Sequence, residues 1–108
     1  MTRVVIFKKK DRISGFEISG HTGYAEEGSD IVCSAVSSVS QMALLGIKDV
    51  LKLNIFFEIS DGFLKLSLGK NVENESAQVL LKSMEKSIRE IQKEYGNYVK
   101  LEVKEDVF

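Results

Sequence analysis

Apolar and polar positions alternate with a period of two at the start of the chain. Val4 to Phe7 is a β-branched and aromatic run, and Ile13 to Ile18 sets Phe16 and Ile18 on one face with Glu17 opposite, which predicts two strands closed as a hairpin. Between them Lys8, Lys9, Lys10, Asp11 and Arg12 form a charged turn, expected to be solvated and without a role of its own. From Ile31 the pattern turns largely apolar and helical. Ile55, Phe57 and Ile59 then alternate, Asp61-Gly62 is a two-residue turn signal, and Leu64, Leu66 and Leu68 resume the alternation, so a second hairpin follows. Asn71 or Asn74 caps a helix in which Ala77, Leu81, Met84, Ile88, Ile91 and Tyr95 recur every three or four residues. That stripe belongs against the sheet. Lys82, Lys86, Arg89 and Lys93 are interleaved with Glu85, Glu90 and Glu94, and ion pairs at this spacing make a solvated face rather than a basic patch. Gly96 is expected as a left-handed helix stop, and Val99, Leu101 and Val103 alternate in a last strand. The order ββαββαβ predicts an α+β fold of two layers, a mixed five-stranded sheet with two helices packed on it.

Length and composition narrow the function classes. The 108 residues fit a single domain, 1–108, and 44% hydrophobic with 29% charged residues is the balance of a globular chain. A net charge of -1 removes the overall basic excess that drives non-specific nucleic-acid binding, so no nucleic-acid partner is required. No secretory pattern stands at Met1 to Phe7. Ser34, Ser37, Ser38, Ser40, Gln41, Lys48 and Asp49 interrupt Ile31 to Leu53, so that stretch is expected not to span a membrane. The expected location is cytoplasmic. One cysteine allows no internal disulfide, and one cysteine with one histidine makes no Cys/His zinc cluster; neither metal nor cofactor is expected.

Candidate chemistry concentrates between the first hairpin and the first helix, in Gly20-His21-Thr22-Gly23-Tyr24-Ala25-Glu26-Glu27-Gly28-Ser29-Asp30 followed by Ile31-Val32-Cys33-Ser34-Ala35-Val36. A connection of that length is long for a small domain, and long ordered loops tend to be functional. Gly20, Gly23 and Gly28 let it fold back over the helix start and over a substrate, which can bring His21 to Cys33. Ser29 or Asp30 is a good N-cap, which predicts Cys33 in the first helical turn. Unpaired backbone N–H groups and the positive end of the helix dipole favour the thiolate there, and the thiolate is the nucleophile. The same N–H groups, with a glycine N–H near Gly28, can hold the oxyanion of a tetrahedral intermediate. His21 would take the thiol proton and later protonate the leaving amine.

Blander readings stand beside this one. A lone cysteine on an apolar helix is most often core, and Asp immediately before a helix is most often a cap rather than a support for His21. Ser34, Ser37 and Ser38 keep the helix surface small where it meets something closely, a subunit partner among the candidates. Two other classes stay open, a non-catalytic ribosome-associated binding module using the basic turn and helix, and a thiol redox sensor acting through Cys33 with a partner thiol.

The segment resembles the ribosomal-processing cysteine protease (Prp) family in its Gly20-His21, then Gly28, then Asp30-Ile31-Val32-Cys33 followed by Ser34-Ala35-Val36-Ser37, and in its order of strands and helices. The resemblance implies a catalytic dyad of Cys33 and His21 with Asp30 in support. It implies a homodimer, and a substrate that is the precursor of the large-subunit ribosomal protein numbered twenty-seven, from which a short N-terminal extension ending in a hydrophobic or aromatic pair is removed. Thr22 and Ser34 stand where that pattern leads one to expect alanine, which puts subsite detail around Ser34 in doubt but leaves the dyad.

Overall fold

The computed structural model describes residues 1–20 and 29–106, Ser29 and Asp30 by their backbone only. Its elements are β1 (Thr2–Lys9), β2 (Arg12–Ser19), α1 (Ser29–Leu45), β3 (Phe56–Ser60), β4 (Phe63–Ser67), α2 (Glu75–Tyr95) and β5 (Val99–Glu105), in the expected order ββαββαβ. The strands form one five-stranded sheet, β3-β4-β2-β1-β5, mixed because β1 and β5 run parallel while the other pairs are antiparallel. Both helices pack on one face, where Val4, Ile6, Phe16, Ile18, Leu64 and Leu66 meet Val32, Val36, Leu44, Leu81, Met84 and Ile88 in a single apolar core.

The first hairpin is tighter than its charged residues suggest. Lys8 and Lys9 pair with Ile13 and Arg12, a register shift at Phe7/Lys8 absorbs the difference, and Lys10 takes a left-handed φ of 58° in the turn. Two of the turn's four bases are paired: Arg12 reaches Glu75 at 2.6 Å and Glu73 at 3.0 Å, and Lys8 reaches Glu85 at 3.3 Å. The hydrogen bond to Glu75, with the charges of Glu73, Glu75 and Asp11 nearby, raises the pKa of the Arg12 guanidinium above its ordinary value against the opposing effect of desolvation.

Asn74 is the helix cap of the two candidates, accepting a 2.9 Å hydrogen bond from the Ala77 N–H. Asn71 instead donates to the Asn54 carbonyl at 2.8 Å and ties down the segment before β3. The α2 stripe buries Ala77, Leu81, Met84 and Ile88 as predicted, whereas Tyr95, at the last turn, is exposed. Gly96 is not a left-handed stop. It stays right-handed at φ -58°, and the chain tightens into a further turn in which the Tyr98 N–H donates to the Tyr95 carbonyl at 2.9 Å. The glycine serves closeness instead, since a Cβ there would stand 3.1 Å from the Gln92 carbonyl oxygen.

After Leu45 the first helix widens into a π turn, Gly46–Val50, closed by a 2.8 Å bond from the Leu51 N–H to the Gly46 carbonyl. The stretch Ile31–Val50 is, by length and composition, long and apolar enough to cross a membrane, so the polar interruptions do not exclude it as predicted. In the fold it is a core helix, with Val32, Val36, Ala43, Leu44 and Ile47 buried in the domain. Ser40, fully buried among them, returns its hydroxyl to the Val36 carbonyl at 2.7 Å. Gly46 brings the helices close, because a Cβ there would run into Leu80 of α2.

A polar clamp joins α2 to the first hairpin. Gln78, buried, accepts from the Ile13 N–H at 2.9 Å and donates to the Ile13 carbonyl at 2.8 Å and the Val72 carbonyl at 2.9 Å. Removing its amide leaves two buried backbone groups and a partly buried one short of a partner, a buried one costing about 1–3 kcal/mol when left unpaired. Gln78→Leu is therefore expected to lower the urea midpoint by an amount corresponding to at least about 2 kcal/mol, read by equilibrium unfolding; an unchanged midpoint would show that Leu restores by packing what the clamp supplies.

Candidate active site

Cys33 sits where three surfaces of α1 meet. Val32 and Val36 turn into the core, Ser34 and Ser37 turn toward open space, and the thiol between them keeps 7% of its residue surface exposed. It lines a cleft of about 270 Å³ at the end of the sheet. Ser34, Ser37 and Gln41 form the helix wall of that cleft. The opposite side is made of strand ends: Thr2 of β1, Ile18 and Ser19 of β2, Ile59 and Ser60 of β3, and Phe63 and Leu64 of β4. Cys33, Ser37 and Gln41 recur at four-residue spacing, so a helix places them on one face.

The helix begins one or two residues earlier than its cap candidates suggest. Ser29 and Asp30 are both helical by backbone, so Cys33 is the fifth residue of α1 and stands at the start of the second turn. In a helix that starts at Ser29 the Cys33 N–H already has an intrahelical acceptor, and the unpaired N–H groups lie one turn before it. The dipole contribution at the thiol is correspondingly reduced, because it falls off within the first turn. Asp30 is the second helical residue rather than the cap.

Gly20 closes β2 at φ +99°, and a Cβ on it would collide with the Met1 carbonyl. That glycine is required by geometry, at the point where the chain leaves the sheet beside the cleft. His21, Gly23 and Gly28 lie outside the described residues, as does the side chain of Asp30. Of the expected site residues, the fold brings Cys33 and Ser34 to one cleft and sets Gly20 at the end of β2. Among the described residues no group of three His, Cys, Asp or Glu side chains is placed to hold a metal ion.

Two features escaped the sequence reading. Ser37 and Gln41 were legible from their helical spacing to Cys33. The apolar members of the cleft, Ile18, Ile59, Phe63 and Leu64, depend on the strand order β3-β4-β2, which no local pattern discloses. The three helix serines divide: Ser34 and Ser37 face the cleft, while Ser38 lines a separate apolar groove of about 820 Å³ between α1 and α2, whose walls include Met42, Leu45, Val50, Val79 and Leu80.

The family model for cysteine protease Prp matches residues 1–100. The chain is 25% identical over 107 residues to the ribosomal processing cysteine protease Prp of Bacillus subtilis (strain 168), covering 94% of this chain and 96% of that protein. The crystal structure of the ribosomal processing protease Prp from S. aureus in complex with a substrate peptide superposes with a TM-score of 0.86 at 26% identity, over 96% of this chain and 100% of that one. A Streptococcus mutans protein superposes with a TM-score of 0.87 at 23% identity, over 98% of this chain and 96% of that one, a likeness of fold.

The positive φ and the contact with Met1 make Gly20 intolerant of a side chain. Gly20→Ala is expected to cost about 1–3 kcal/mol of stability, read as a lower midpoint in urea unfolding, while Gly96→Ala, right-handed already, costs less.

Proposed function

This chain belongs to the cysteine protease Prp family, and from that premise we propose that it is the endopeptidase that removes the short N-terminal extension from the precursor of the large-subunit ribosomal protein numbered twenty-seven. The observation that carries the reading is the placement of the chain's one cysteine on the wall of an open cleft at the start of a helix. In this mechanism His21 takes the Cys33 proton and the thiolate attacks the scissile carbonyl carbon. The oxyanion is held by backbone N–H groups of the first helical turn. The intermediate then collapses to a thioester as the amine leaves with the proton from His21, and water, deprotonated by His21, hydrolyses the thioester and restores the thiol. Asp30, within the helix rather than at its cap, supports the imidazolium. Gly20, Gly23 and Gly28 allow the connection between β2 and α1 to close on an extended peptide, with Ser34 on the cleft wall.

The enzyme acts as a homodimer in the cytoplasm, where ribosomal precursors are made. The α1–α2 groove supports the dimer: Met42, Leu45, Val50 and Val79 are all at least half exposed, and among the described residues no charged side chain lines it. A two-fold axis pairs the same patch of both subunits, so an uncharged apolar face meets itself without like-charge repulsion. The pairing of Lys8 and Arg12 of the basic turn with Glu85, Glu73 and Glu75 favours this reading over an RNA-binding module.

Cleavage of a peptide copying the extension should occur after its hydrophobic pair in the wild type and fall at least about a thousandfold in Cys33→Ala and His21→Ala, as expected where residues act as one unit; both variants should keep the wild-type far-UV circular dichroism. Full activity in Cys33→Ala sinks the mechanism. By light scattering the wild type should have the mass of two chains and Leu45→Glu that of one; a monomeric wild type removes the dimer.

A further inference from the structure

The sheet is wider than the helix layer that covers it, and the uncovered part borders the cleft. Register puts Val4, Ile18, Leu64 and Ile59 in one row across β1, β2, β4 and β3. The first three are 0%, 6% and 7% exposed, and Ile59 is 58% exposed. The next row, Ile6, Phe16, Leu66 and Phe57, repeats the step: the first three are buried to 1% or less and Phe57 is 47% exposed. The alternation of β3 places Phe57 and Ile59 on the helix-side face, yet all five residues of the strand are exposed, and the Lys48 ammonium lies 5.5 Å from the Phe57 ring centroid.

β3 is also an edge strand, paired to β4 on one side only, so every second residue turns its N–H and C=O outward. Edges of this kind are normally blunted by charge, yet on its helix-side face β3 carries Phe57 and Ile59. Ile59 itself lines the cleft that holds Cys33, so the open edge and its two apolar side chains are continuous with the site.

We propose that β3 is the substrate-binding strand: an extended peptide pairs along its free edge and sets large apolar side chains, two residues apart, against Ile59 and Phe57. This rests on the protease reading and deepens it. Side chains two apart on a strand are separated by about 6.5–7 Å on either chain, so a peptide in register with β3 matches both positions at once, and cross-strand neighbours of this kind touch laterally. Ile59, nearer the thiol, takes the side chain closer to the scissile bond and Phe57 the one farther from it. The substrate class is thus an extended segment whose large apolar side chains alternate, in addition to whatever residue fills the cleft itself.

The test is a peptide set in which each residue before the scissile bond is in turn a large apolar residue or serine, with kcat/KM measured for the wild type, Ile59→Ser and Phe57→Ser. The wild type should prefer the apolar residue at two positions spaced by two, by roughly tenfold each. Ile59→Ser should abolish the preference at the nearer position alone, and Phe57→Ser at the farther. Replacing the peptide N–H groups one at a time by N-methyl should weaken binding at alternate positions only, those whose N–H faces β3. Wild-type cleavage with preferences that both substitutions leave intact overturns the proposal, as does a Phe57→Lys variant that changes the oligomeric mass while peptide affinity stays unchanged, since the strand would then serve a second copy. Peptide affinity measured in the Cys33→Ala background separates the two readings: binding that still depends on Ile59 and Phe57, with no cleavage by reduced wild type, keeps the strand proposal and discards the protease.

Discussion

The helix layer leaves the β3 edge of the sheet bare, and the site borders on it. Five strands at about 4.8 Å spacing span roughly the width of two helices packed 8–10 Å apart, so any offset leaves an edge strand bare. Here the offset favours β1, β2 and β4, whose inward residues are buried, and leaves β3 outside. Cys33 on α1 and Ile59 on the bare strand line the same cleft, so the site lies between covered and uncovered sheet. A helix centred farther over β3 would bury Ile59 and close the cleft.

Element order and type were legible because each depends on local chemistry: β-branched alternation in β1 and β2, the Asp61-Gly62 turn, the Asn74 cap and the α2 stripe. Burial was less so. Phe57 and Ile59 carry the same pattern as Leu64 and Leu66, and only strand order decides that one pair is covered and the other is not. The handedness at Gly96 was misjudged because glycine answers two demands, left-handed backbone and close approach, and sequence does not tell them apart. At the site, Cys33 could be picked out from its helix and its family resemblance, whereas its turn within the helix depended on where the cap falls, a boundary that Ser29 and Asp30 mark only to within a residue or two.

Polar groups on α2 do structural duty that their type alone would assign to solvent. Gln78 replaces a sheet partner for Ile13. Glu85, buried beside Arg89 at 2.8 Å and Lys8 at 3.3 Å, ties the helix to the start of the hairpin turn. Ser14, buried near the same end of the hairpin, donates to Asp106 at 2.6 Å and joins β2 to the chain just past β5. The end of the sheet away from the cleft is thereby cross-linked by hydrogen bonds and ion pairs.

The seat of Leu80 against Gly46 acts on the thiol from a distance. With no Cβ on Gly46, the Leu80 side chain occupies the space beside the α1 backbone, and α1 cannot slide along its own axis past α2 without dislodging it. Thirteen residues, or about 20 Å of helix, separate that point from Cys33. The same helix that carries the nucleophile on its first turns thus makes its closest approach to α2 at the opposite end, well outside the cleft.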